Sequence, residues 1–128
     1  MTVLTTSGVQ ISVSTYFRKD VSEPEDYEFL HNYSVEICNL NGYRIQLISR
    51  DWYIFDSLGA PRYVSGPGVV GEQPVLKPGE RFEYTSSCDL TSDMGMMKGF
   101  YTFRNLSDDS LFEVFVPTFL LEFAPKLN

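Results

Sequence analysis

The sequence predicts an all-β chain folded as an antiparallel β-sandwich, and three observations carry that prediction. Short segments alternate apolar and polar residues, as in Val9-Gln10-Ile11-Ser12-Val13, the period-two pattern of a half-buried strand. Turn signals such as Asn41-Gly42, Pro78-Gly79 and Ser107-Asp108-Asp109-Ser110 separate those segments at near-regular spacing. No long stretch repeats its apolar positions with the period of a helix.

The elements follow in order. Residues 1–8 read as a flexible arm, 9–123 as one domain and 124–128 as a tail. Val9 to Tyr16 places Val9, Ile11 and Val13 on one face and Gln10, Ser12 and Ser14 on the other. Asp20 to Glu28 is an acidic loop containing Pro24. Phe29 to Asn39 is the second strand, with Phe29, His31, Tyr33, Val35 and Ile37 inward. Asn41-Gly42 reads as a hairpin turn, because both residues accept positive φ, and returns the chain as Tyr43 to Ile48. Ser49-Arg50-Asp51 interrupts the pattern as a bulge or bend before Trp52 to Phe55.

Arg62 to Ser65 is a short strand leading into a glycine-rich loop, and Arg81 to Thr85 turns Phe82 and Tyr84 inward. Gly99 to Asn105 and Leu111 to Val116 pair as a hairpin. Pro117 ends or edges the last strand, since it cannot donate to a ladder. Phe119, Leu120, Leu121 and Phe123 form a final apolar segment.

Composition narrows the function. A chain of 128 residues suits one domain with a real core, and 43% hydrophobic residues are too many for a disordered segment. The formal charge is −7 and the basic residues form no stripe, which argues against nucleic acid and anionic membrane as partners. No window carries the run of apolar residues that a spanning helix or export signal needs, so a cytoplasmic location is expected.

Cys38, Trp52 and Cys88 are spaced much as in an immunoglobulin domain, where a disulfide packs on a buried Trp. Two details oppose that pairing. Ser86 stands where such a domain has Tyr, and Cys38 has the opposite parity to Phe29, Tyr33, Val35 and Ile37, which points it away from the core. Both thiols are therefore expected reduced. Two cysteines and His31 cannot complete a four-ligand zinc site, and neither a metal site nor a cofactor is expected.

The most specific local feature is Gly66-Pro67-Gly68-Val69-Val70-Gly71-Glu72-Gln73-Pro74. Gly66, Gly68 and Gly71 match the phosphate-cradling pattern Gly-x-Gly-x-x-Gly. That chemistry needs a helix after the last glycine, and Pro74, Pro78 and the strand from Arg81 leave no room for one. The loop is read as a connection between strands. Its backbone N–H groups could still form an anion-binding nest, against which Glu72 adds an unfavourable charge. Gly66, Gly68, Val69, Val70, Gly71, Glu72 and Gln73 are the candidate anion or partner loop.

Catalytic chemistry finds no set. His31 lies on an apolar strand face with no named partner, and Ser49, Ser65, Ser86 and Ser87 sit in no nucleophile-elbow pattern, so no enzyme is expected. The acidic loop offers oxygen ligands without calcium-loop spacing. Trp52, Tyr53, Phe55, Phe82, Tyr84, Phe100, Tyr101 and Phe103 exceed what one face of each strand can hide. Either those strands are covered on both sides or an apolar patch is exposed, as at interaction sites. Trp52, Tyr53 and Tyr101 are the candidate interaction surface, and the expected partner is another protein.

Several ordered motifs resemble one family. They are Val64-Ser65-Gly66-Pro67-Gly68-Val69-Val70-Gly71-Glu72-Gln73-Pro74, Pro78-Gly79-Glu80 with Phe82 and Tyr84-Thr85-Ser86, Gln46-Leu47-Ile48-Ser49-Arg50-Asp51-Trp52, Gly95-x-Met97-x-Gly99-x-Tyr101 and Val116-Pro117-x-Phe119-x-Leu121. From about Val9 to Leu121 the chain resembles the ApaG family; where it has Asp51, that family commonly has His. The resemblance implies a fibronectin type III-like β-sandwich and an uncharacterised molecular role. It also implies a genetic association with cobalt and magnesium resistance or efflux, a pyrophosphate-type site discussed at the glycine motif, and interaction modules among eukaryotic relatives. The second reading is accordingly a resistance protein that binds pyrophosphate or a divalent cation.

Overall fold

The computed structural model describes residues 1–123. Among them nine strands are formed: β1 (Thr2–Thr6), β2 (Val9–Phe17), β3 (Phe29–Asn39), β4 (Ile45–Asp56), β5 (Arg62–Pro67), β6 (Val75–Leu76), β7 (Arg81–Leu90), β8 (Met94–Asn105) and β9 (Leu111–Glu122). A short 3₁₀ turn, Pro24–Asp26, is their only helical element among the described residues. The strands make two antiparallel sheets, ordered β1-β2-β3-β7 and β5-β4-β8-β9, with β6 also paired to β4. Their inner faces pack as a sandwich, and no helix among the described residues is long and apolar enough to cross a membrane.

The period-two readings place the core. Val9, Ile11 and Val13 of β2, and Tyr33, Val35 and Ile37 of β3, are buried against Leu47, Trp52 and Ile54 of β4 and Met97, Tyr101 and Phe103 of β8. Trp52 is the hub: its ring lies 5.6 Å from Tyr33, 6.1 Å from Tyr101 and 6.0 Å from Phe119, all nearly edge-to-face. Such geometry adds roughly 0.5–1.5 kcal/mol per pair beyond area burial.

Three expectations need correction. Residues 1–8 are not a loose arm, because Thr2–Thr6 pairs with β2 from Thr2↔Val13 to Thr6↔Val9. Ser7 (φ 50) and Gly8 (φ 74) make the two-residue turn, both in the positive-φ region that twisted hairpins require. The expected tail, 124–128, lies outside the described residues.

Asn41-Gly42 is no hairpin turn, since β3 and β4 lie in different sheets and neither residue has positive φ. Asn39 organises the crossing instead. It is fully buried, its amide donates to the carbonyls of Tyr43 (2.9 Å) and Leu76 (3.0 Å), and its Oδ1 accepts from Asn41 N–H at 3.0 Å. The segments Tyr43 to Ile48 and Trp52 to Phe55 belong to one strand, β4. The interruption between them is a bulge at Ile48, where the register with β8 shifts between Leu47 and Ser49.

Cys38 points away from the core, as its parity predicts, but is covered: it is 4% exposed, lies opposite Gln10 and Arg81, and stands outside the core cluster. Cys38 faces Arg81 and Cys88 faces His31, at opposite ends of the β3–β7 ladder, and both thiols are free. Pro117 sits inside β9, at the sheet edge, where the register with β8 slips between Met97 and Gly99.

Candidate functional site

The glycine loop belongs to one edge of β4. β5 pairs with residues 49–54 of β4, β6 pairs with Ile45 and Gln46 on the same side, and the loop leaves and rejoins that edge between them. Strand β6, not a helix, follows Gly71. Three bonds fasten the loop around the β4 bulge: Gly68 N–H to Ile48 O (2.9 Å), Gln73 Nε2 to Ile48 O (2.9 Å), and Leu47 N–H to Pro74 O (3.1 Å). At Gly68 (φ 60) a Cβ would stand 2.2 Å from the Glu72 carbonyl oxygen, so only glycine fits there.

The loop tip is a tight turn. Val69 and Glu72 exchange N–H···O bonds of 2.8 and 2.9 Å, and the central residues are Val70 (φ 45) and Gly71 (φ 81). A β-branched residue with positive φ is a steric outlier, costing on the order of 1–3 kcal/mol. The Val70 side chain is nevertheless 54% exposed, so burial does not offset that cost. The N–H groups of Gly68, Val69 and Glu72 all donate inside the protein, which removes three donors from any anion nest.

Positive charge near the loop comes from Arg50. One of its guanidinium nitrogens, Nη1, donates to the carbonyls of Pro67 (3.0 Å) and Gly68 (2.9 Å). The guanidinium borders a cavity of about 190 Å³ that opens between β7 and the loop tip and is also lined by Tyr33, Tyr84 and Ser86. Burial pushes the hydroxyls of Tyr33, Tyr84 and Tyr101 upward in pKa, with Arg50 pulling weakly in the other direction. All three therefore stay neutral, and Tyr84 and Tyr101 share a 2.5 Å hydrogen bond.

The outer faces of the two sheets differ in chemistry. On the β1-β2-β3-β7 sheet, the outward residues of β2, β3 and β7 include Ser12, Ser14, Ser34, Glu36, Glu83 and Thr85, tied by a Ser34–Thr85 bond of 2.8 Å and an Arg81–Glu36 ion pair. On the other sheet, Tyr53, Phe55, Tyr63, Phe100 and Phe115 face outward. Tyr53 stacks on Tyr63 with centroids 4.9 Å apart, Phe100 meets Phe115 at 6.2 Å, and Lys98 lies 5.6 Å over Phe55. Tyr63 also donates its hydroxyl to Asp51. A groove of about 370 Å³ runs over Tyr53, Phe100 and Phe115.

Sequence reasoning placed this surface only in part. Tyr53 is 39% exposed and stands on it, whereas Trp52 (3%) and Tyr101 (0%) are core residues, because each lies one position out of phase with the outward set. Phe115 and Tyr63 were missed, and Phe100, counted in the aromatic excess, was left out of the expected surface although its parity is opposite to that of Tyr101. Arg50 was also missed. It shares parity with the buried Trp52 and Ile54, which turns a lone cation toward the interior.

The remaining polar candidates stay apart. His31 is 1% exposed, its Nε2 has no partner, and its ring meets Phe17 edge-on at 5.2 Å. Asp20 of the acidic loop pairs with Arg18, and no group of three or more His, Cys, Asp or Glu among the described residues is placed to hold a metal.

The ApaG domain family model matches residues 19–105. The chain belongs to the ApaG family. Protein ApaG of Brucella anthropi is 44% identical over 117 residues, covering 91% of this chain and 89% of that one. Protein ApaG of Methylorubrum extorquens is 44% identical over 123 residues, 96% and 93% of the two chains. Among solved structures, a Bordetella pertussis protein described as ApaA superposes with a TM-score of 0.87 at 37% identity, covering 92% of this chain and 95% of that one. The C-terminal domain of wzt shares the fold alone, at 10% identity and a TM-score of 0.57 with 98% and 79% coverage.

Proposed function

We propose that this ApaG-family chain is a non-catalytic binding module of the cytoplasm that docks a protein partner on its aromatic outer face and the adjoining 66–73 loop. The observation that carries the reading is the contrast between the two outer faces. The centre of one is serine, threonine and charge, with Val3, Tyr16 and Leu30 toward its margins. The other carries Tyr53, Phe55, Tyr63, Phe100 and Phe115 together, with Tyr53, Phe100 and Phe115 lining a groove. Clustered exposed aromatics are characteristic of recognition surfaces, where they supply most of the contact energy. The strained, exposed Val70 supports the same reading, since backbone strain persists where a fixed shape is used. Acid–base chemistry gains no support from His31, which is buried with its ring edge-on to Phe17 and its Nε2 without a partner.

Affinity capture from a lysate tests the proposal with three baits: wild type, an outer-face variant carrying Tyr53→Ser and Phe115→Ser, and a control carrying Ser14→Ala on the polar face. The module reading expects a protein recovered by wild type and control and lost from the outer-face variant. Identical recovery by all three baits would remove the face from function.

A further inference from the structure

We infer that the cavity beside Arg50 receives one carboxylate, delivered by an aspartate or glutamate side chain of the docked partner. The inference rests on the binding-module reading and names the partner's anchoring chemistry. The motivating observation is an incompletely satisfied cation. Arg50 is only partly exposed, yet no carboxylate of the described residues lies within 4.0 Å of it; the ion pairs among them are Arg18–Asp20, Arg62–Asp89 and Arg81–Glu36. An arginine cannot shed its charge when it leaves water, so withdrawing it without a counter-ion is unfavourable.

The arrangement around the guanidinium is directional. Nη1 is held by two loop carbonyls, which fixes the plane of the group. Nε and Nη2 have no acceptor among the described residues, and neither is sealed from solvent, since the buried unpartnered side-chain nitrogen or oxygen of those residues is His31 Nε2. A free edge of two N–H donors in one plane matches the two oxygens of a carboxylate. Tyr33 and Tyr84 add neutral hydroxyl groups to the same cavity.

Size and charge choose among anions. About 190 Å³ lies below the range of cavities that enclose whole cofactors or nucleotides, but admits a short acidic side chain. One arginine neutralises one charge, which favours a monoanion. The mouth lies between β7 and the Val70–Gly71 tip of the loop, and a half-buried arginine is a residue type enriched among those that dominate interface energetics.

Solution NMR with three small probes at constant ionic strength tests this: N-acetylglutamate α-amide, its neutral isostere N-acetylglutamine α-amide, and inorganic phosphate. The expected result is a saturable shift of the Arg50 Nε–H signal and of the Val70 and Gly71 amides with the glutamate probe. The glutamine probe should bind at least tenfold more weakly, and the glutamate response should fall at least tenfold in Arg50→Gln. The wild-type comparison of glutamate with glutamine decides the matter even where that variant folds poorly. Equal responses to the two amides, or phosphate binding more tightly than glutamate, would overturn the assignment. Loss of capture in the outer-face variant alongside no glutamate response at Arg50 would end this inference and leave the binding-module reading standing.

Discussion

His31 is the residue whose chemistry is most exposed to pH. Burial pushes its pKa below the ordinary value of 6.5, so the folded protein holds it neutral while the unfolded chain protonates near that value. Its contribution to stability is therefore intact above pH 6.5 and declines as pH falls below it. Urea unfolding at pH 7 and pH 5 is expected to show a loss of up to about 2 kcal/mol from this group. His31→Phe, which keeps the ring against Phe17, should flatten that dependence. Val70 offers a second residue-scale outcome: Val70→Asn removes a β-branched side chain from φ 45 and should raise stability by about 1 kcal/mol in the same assay. Burial raises the Cys88 thiol to about 11, so native protein at pH 8 should react slowly with iodoacetamide and unfolded protein rapidly. At this scale parity was readable and was applied unevenly. Parity places Tyr53 on the surface and turns Trp52, Tyr101 and Arg50 inward, against the expected surface role of Trp52 and Tyr101.

Among the elements, β2 and most of β3 were legible because their buried faces alternate from Val9 to Val13 and from Phe29 to Ile37, whereas β8 was read only from Gly99 although its alternation begins at Gly95. β1 was not legible, because nearly all of it is exposed and it carries no apolar stripe; its signal lay in the Ser7-Gly8 turn. Asn41-Gly42 failed for the converse reason. Local turn chemistry favoured a hairpin, but the buried amide of Asn39 directs the chain into the other sheet. Asn39→Ala strands two carbonyls and one N–H, and thermal unfolding should show a loss of about 2–3 kcal/mol. Gly99 is constrained by the neighbouring strand: a Cβ would stand 2.1 Å from the Asp51 carbonyl oxygen, which gives the Gly95-x-Met97-x-Gly99 motif part of its physical basis.

For the whole molecule, the sequence supports the sandwich and the loop without a helix, but not the difference between its two outer faces. That difference depends on which strands become neighbours. Tyr53, Tyr63, Phe100 and Phe115 come from four sequence segments, and only the β5-β4-β8-β9 order makes them one surface. The β4 bulge likewise sets the glycine loop and Arg50 together at one edge of that sheet. The surface proposed for docking is thus a product of topology. Hydrogen–deuterium exchange on the captured complex tests it most directly. New protection is expected in β8, β9 and residues 66–73, with the Ser12, Ser34 and Thr85 face unchanged; protection confined to that polar face would contradict docking on the aromatic side.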